Sequence, residues 1–371
     1  MTYLDNAATT RTNPEVVEAM LPYMTDYYGN PSANYNFADK SWQAVEDARK
    51  TIADFIGADP SEIIFTSGGT EADNMAIKSK MNSKFGYVRT SMIEHKAILN
   101  SISYVNALPS LLVDKNGVVR LDEFALGGMN DLVSVMFANN EIGTIQPVKK
   151  IADICHETGA KFHTDAVQAF GHIPINVKEL GIDMMSASGH KMGAPKGIGF
   201  LYVSKGISIP PFIHGGGQEN GMRSGTENVP AIVGFGKAVE IAKGNMEDRY
   251  RKTKNLRDFF ESRIMGEVKK IKINGFDADR LPGHSNITFP GIRAEEMLEY
   301  LNMYGICASS GSACNSSDEQ PSHVLKAIGL TDAEANATLR FTMNHENTVD
   351  EMKFTIDKIK EFLTIKGISI Q

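Results

Sequence analysis

The order of apolar runs constrains this chain more than any other feature. Residues 62–65, 87–91, 132–137, 161–164, 182–185 and 198–203 read as short strands. Helical periodicity separates most of them. Val45, Ala48, Ile52, Phe55 and Ile56 fall on one helix face closed by Gly57, and Ile151, Ile154 and Cys155 recur at helical spacing. This alternation predicts an α/β fold: a mostly parallel central sheet with helices on both faces. Such sheets bind ligands outside the carboxyl ends of their strands. Thr70, His95, Asn140, Asp165 and Lys191 each fall just after a predicted strand. One such residue means little; five at equivalent ends of one sheet form a constellation.

Two of these positions carry further signals. Lys191 sits in the polar loop 186–197 between two apolar strands, preceded by Ser188 and His190. Desolvation there would free its amine as a nucleophile toward carbonyls. On the loop alone, a solvated surface lysine remains an equal alternative. Residues 66–71, Thr-Ser-Gly-Gly-Thr-Glu, join a strand to a helix expected from Ala72 onward. Glycines before a helix N-terminus let a phosphate approach backbone N–H groups. The alternative there is a helix capped by Thr70 that binds nothing. No Gly-Lys-Ser/Thr follows, so the turn is not a P-loop.

A helix is expected over 15–27. The run 214–226 is too glycine-rich for regular structure and reads as a mobile or ligand-approaching segment. A long helix then spans about 230–264. Beyond it, a strand near 285–289, a helix near 295–303, capping boxes at 331–334 and 348–351, and a strand at 338–343 carrying Arg340 predict a smaller C-terminal α/β domain. The expected division is a large cofactor-binding domain, 15–255, and a small domain made of 1–14 and 256–371.

With 371 residues, 42% hydrophobic and 22% charged, the composition is that of an ordinary soluble protein. A net charge of −7 leaves no basic footprint, so no direct nucleic-acid contact is expected. Neither a secretory signal nor a membrane-length apolar run is visible, and a cytoplasmic protein is expected. Three cysteines argue against a disulfide framework. Cys155 and Cys307 lie in apolar contexts and read as packing. Cys314 lies in a polar run, 309–319, where an exposed thiol is a liability unless it is used.

Together these groups match the needs of pyridoxal phosphate chemistry. Lys191 fits the Schiff-base lysine, and Asp165 the carboxylate on the ring nitrogen. Gly69, Thr70, Ser188 and His190 fit a phosphate cup. His95 could stack on the ring and shuttle protons. Gln168 could reach the ring hydroxyl, and Asn140 that hydroxyl or the substrate. Arg340 could fork onto a substrate carboxylate. No metal site is expected.

The runs His163-Thr164-Asp165-Ala166-Val167-Gln168, Ser188-Gly189-His190-Lys191, Arg223-Ser224-Gly225-Thr226 and Ser309-Ser310-Gly311-Ser312-Ala313-Cys314 resemble cysteine desulfurases of the NifS/IscS type. Tyr3-Leu4-Asp5-Asn6-Ala7-Ala8-Thr9-Thr10 and Thr66-Ser67-Gly68-Gly69-Thr70-Glu71 match the same family. The resemblance implies a fold-type I, class V aminotransferase fold, a homodimer, and pyridoxal phosphate on Lys191, with Thr226 reaching the partner subunit's cofactor phosphate. It also implies conversion of L-cysteine to L-alanine with a persulfide left on Cys314, and Lys191 or His95 as the base. A sulfur-acceptor protein would dock near the Cys314 loop; iron–sulfur assembly, tRNA thiolation and DNA phosphorothioation are all compatible. The chain departs from the family's pattern at 30–38 and at Thr342-Met343-Asn344-His345. The competing readings are an aminotransferase or a selenocysteine-lyase-like enzyme and, from another class, a non-catalytic phosphate-binding module.

Overall fold

The structure is a computed structural model describing residues 1–81, 86–123, 128, 130–310 and 320–368. Cys314 lies outside the described residues.

Six strands form the central sheet, in the order Ile63–Thr66, Gly199–Val203, Met184–Ser188, Lys161–Asp165, Leu132–Ser134, Val88–Thr90. The last four run parallel, whereas Gly199–Val203 is antiparallel to both of its neighbours. The lysine loop is therefore the turn of an antiparallel pair. The helices Asn36–Ile56, Gly69–Lys78 and Val148–Thr158 flank this sheet, and the first ends at a left-handed Gly57 as its sequence predicts.

Several elements differ from expectation, each for a local reason. The helix expected over 15–27 is two pieces, Pro14–Met20 and Pro22–Thr25, because Pro22 has no N–H to continue the ladder. The strand 132–137 ends at Ser134, since the Met136 N–H is taken by both carboxylate oxygens of Glu94, at 3.0 and 3.1 Å. The helix after the glycine turn begins at Gly69 with Gly68 as its cap, so Thr70 lies in the first turn and does not cap. The glycine-rich run is tied down: Glu219 is buried, grips Arg49 at 2.7 and 2.8 Å and accepts the Phe65 N–H. Arg223 of the same run grips Glu71.

A long helix, Val229–Glu267, breaks at Asn245 and leads into a second, antiparallel sheet, in the order Ser309–Ser310, Thr338–Thr342, His284–Thr288, Lys272–Ile273. Both capping boxes form. Thr2–Tyr3 pairs in parallel with Ile306–Cys307. Leu4 joins a core with Leu256, Phe260, Phe341 and Ile356, whereas Val324, Leu325 and Ile328 pack with the core of the central sheet. Cys155 is fully buried, and Cys307 only half-buried. Among the described residues, no helix is long and apolar enough to cross a membrane.

Close packing fixes the glycine turn against the lysine strand. A Cβ on Gly199 would lie 2.5 Å from the Ala187 carbonyl oxygen and 2.7 Å from Gly68 Cα. Both obstacles are backbone, so neither can rotate away. Gly199→Ala is expected to cost about 1–3 kcal/mol of unfolding free energy, typical of overpacking. Denaturant titration measures it; unchanged stability would contradict this packing.

Candidate active site

A cavity of about 230 Å³ opens at the carboxyl ends of the parallel strands. Gly69, Thr70, His95, Asn140, Asp165, Gln168, Ser188, His190 and Lys191 all line it. Nine positions chosen from local sequence thus converge on one space, as strand-end placement requires.

Lys191 is half-buried at the end of a short 3-10 turn, Gly189–Lys191. Its Nζ donates to the carbonyl oxygens of Ala7 and Ala8, at 2.6 and 2.8 Å. Those acceptors belong to the start of the chain, which clamps the loop elsewhere too. Thr10 donates N–H and hydroxyl to the His190 carbonyl, and Gly193 N–H returns a bond to the Thr10 hydroxyl. The Gln168 amide also donates to Ala7 O, at 3.0 Å.

Asp165 is 6% exposed. One of its oxygens accepts the Val167 N–H at 2.8 Å, and its carboxylate has no ion pair among the described residues. Burial raises its pKa, against the opposing pull of His95, the Val167 N–H and Lys191. Asp73 lines the same cavity, and one of its oxygens is buried with no hydrogen-bond partner, the His163 Nε2 lying 3.9 Å away. Burial first, then the nearby Asp165 charge, pushes the Asp73 pKa well up. The His95 Nδ1 accepts the Ala97 N–H at 3.2 Å, which leaves the ring proton on Nε2. Burial lowers the His95 pKa and keeps the ring neutral. His190 is held down to about 4 by burial, and its Nδ1 meets the Thr9 hydroxyl at 3.1 Å.

At the other wall, the ten-residue helix from Gly69 has no side chain capping its N-terminus. A Cβ on Gly69 would come within 2.5 Å of Val167 Cγ2. The first turn therefore sits close over the strand end, with the Thr70 and Ser188 hydroxyls beside it. That is a cradle for an anion.

The remaining predicted residues lie elsewhere. Thr226 lines a separate cleft with Ser67, Gly197 and Arg223. Arg340 is 5% exposed; it pairs with Asp5 at 2.7 Å and donates to the Asn140 carbonyl at 2.9 Å, while its Nε has no partner. It therefore reaches the site through the Asn140 backbone rather than by lining the cavity. Sequence reasoning missed Asp73 and Glu94. Asp73 follows Thr70 by three residues, the spacing that shares a helix face, and that was its available signal. Glu94 gives none, because its bonds to Ser91 and Met136 N–H are set by folding.

A profile of the Aminotransferase class-V family matches residues 2–354. A relative from Methanosarcina thermophila named cysteine desulfurase IscS is 46% identical over 370 residues, covering 97% of this chain and 91% of its own. A solved structure of a NifS-like protein from Rickettsia africae superposes with TM-score 0.91 at 36% identity, covering 98% and 99% of the two chains. A structure described as SspA in complex with cysteine gives TM-score 0.82 at 37% identity, covering 94% of this chain and all of that one. The chain belongs to the class-V aminotransferase family, and within it to the cysteine desulfurases of the NifS/IscS type.

Burial raises the Glu94 pKa from 4.5 to about 8. Its folded value exceeds its unfolded one, so the stability it contributes is full below pH 4.5 and is lost as pH rises to about 8. Glu94→Gln removes this dependence. Its unfolding free energy relative to the unaltered protein is expected to increase between pH 5 and pH 8.5 in urea titrations. A difference independent of pH would contradict the assignment.

Proposed function

We propose that this chain is a pyridoxal phosphate-dependent cysteine desulfurase that holds its cofactor in the 230 Å³ cavity and takes sulfur from L-cysteine onto Cys314. The observation that carries the reading is Asp165: a buried carboxylate, without an ion pair among the described residues, on the wall of a cavity that also holds Lys191 and an uncapped helix N-terminus. A protonated heterocyclic nitrogen, a carbonyl and a phosphate on one small molecule would satisfy all three. The residues present therefore fit the cofactor. A non-catalytic phosphate site would need only the helix and would leave Asp165 and Lys191 without purpose.

Asp165 would hold the ring nitrogen, Lys191 the carbonyl carbon, and Thr70, Ser188 and the Gly69 turn the phosphate. When bound, the group supplies an electron sink for charge developed at the substrate α-carbon. Lys191 sits at the cavity wall and would take the α-proton; the carbonyls of Ala7 and Ala8 give its ammonium a place to rest. The neutral His95 ring carries its proton on Nε2 and would donate a hydrogen bond from it toward the reacting groups. Arg340, held by Asp5 and by the Asn140 carbonyl behind the cavity wall, would carry the substrate carboxylate as the family resemblance implies.

Cys314 thiolate attacks the substrate sulfur. The S–S bond forms as the carbon–sulfur bond breaks, and the electron pair left on carbon takes a proton, giving L-alanine and a persulfide. Atoms and electrons balance with no further reagent. The relative solved with cysteine supports this substrate. Thr226 lies away from the cavity, which supports a homodimer in which it serves the partner subunit. Two sheets with largely separate cores support the division into 15–255 and 1–14 with 256–371. We further propose a cytoplasmic enzyme that delivers sulfur to an iron–sulfur scaffold or a tRNA-thiolation protein.

In a single turnover with L-cysteine, the unaltered protein is expected to yield one alanine and one persulfide sulfur per chain. Cys314→Ser is expected to lower both by roughly a hundredfold or more while still binding cysteine, and Lys191→Ala to yield neither. Alanine formation that survives in Cys314→Ser would move the reading to a selenocysteine-lyase-like enzyme.

A further inference from the structure

A second cavity borders the first along Gln168 and Lys191. Its walls come from the start of the chain, the helix Val229–Glu267 and the turn after Thr342. It holds about 90 Å³, which is room for about three waters at their share of liquid volume. Nothing in the desulfurase reaction uses it. Met343, Asn344 and His345, where the chain departs from its family's pattern, line it.

Two of its groups are left without partners. Arg249 is half-buried, yet among the described residues its guanidinium makes no hydrogen bond and no ion pair, and its Nε is enclosed with no acceptor. His284 is 7% exposed, and its Nε2 is likewise buried and unpartnered. Burying either group without a partner is costly; an acceptor would satisfy the guanidinium, and also the His284 Nε2 in the tautomer that carries its proton there. Both line this cavity.

Charge and wall chemistry narrow the ligand. Among the described residues, Glu346 is the one carboxylate on the wall, against Arg249, the exposed Arg11 and Lys191, whose amine is held by backbone carbonyls. Burial keeps the neighbouring His345 down at about 4, with the Arg249 charge adding to the effect, so the imidazoles are neutral. This excess of cations over carboxylates suits an anion. Ile241, Leu281, Pro282 and Met343 offer the rest of the wall to carbon.

We propose that this cavity binds a small monocarboxylate no larger than butyrate, its carboxylate on Arg249 and His284 and its carbon body against Ile241, Leu281 and Met343. The site is separate from the substrate carboxylate site at Arg340. It reaches the catalytic loop through His172, which lines it and whose Nε2 meets the Lys191 carbonyl at 2.9 Å.

The test is calorimetric titration of the holoenzyme with butyrate, repeated with inorganic phosphate. Butyrate is expected to bind once per chain, and phosphate more weakly. Arg249→Gln and, independently, His284→Ala should each weaken butyrate by about tenfold or more, with Arg249→Lys between. Arg340→Gln should leave it unchanged. No butyrate binding at millimolar concentration, binding that survives in Arg249→Gln, or binding lost in Arg340→Gln would overturn the proposal. Phosphate binding tighter than butyrate would overturn the carboxylate class.

Discussion

The bonds from the Lys191 ammonium to the carbonyls of Ala7 and Ala8 hold the two ends of this architecture together. The lysine stands on a turn between two strands of the central sheet. Its acceptors stand at the start of the chain, in a segment that pairs through Asn6 and Ala7 with Thr342 of the second sheet. The same few residues thus reach the reactive amine, the small sheet and Arg340 through Asp5. A change at the chain's start would be felt at the amine without touching any loop near it in sequence.

Around that amine, the site is built from carboxyls that water cannot reach. Asp73, Glu94 and Asp165 are all nearly or fully buried, and each has its pKa raised by burial. Glu94 is satisfied by Ser91 and the Met136 N–H, so it stabilises the strand end that ends early at Ser134. Asp165 is only half-satisfied by the Val167 N–H. Burying a carboxyl without a full set of donors is costly, and a cationic partner would offset that cost.

What could be read from the residues follows a physical pattern. Strand ends and helix faces are local in sequence, so the convergence of Thr70, His95, Asn140, Asp165 and Lys191 was legible before any coordinates. Capping boxes at Thr331 and Thr348 were legible for the same reason. Long-range pairings were not. The run 214–226 read as loose because its glycines are local, while its anchor, Glu219 on Arg49, joins positions 170 residues apart. Arg340 read as a substrate ligand, yet much of its bonding goes to Asp5 and the Asn140 carbonyl, at the far end of the chain and in the other sheet's loop. Residue type told which groups carry chemistry; only the fold tells which of them are already engaged.

The central claim is that Lys191 is the amine that takes the cofactor. The direct measurement is to add pyridoxal phosphate to the purified protein, reduce it with borohydride, and map the modified lysine by peptide mass spectrometry. The account predicts one adduct per chain, on Lys191. An adduct on other lysines with Lys191 unmodified would contradict it.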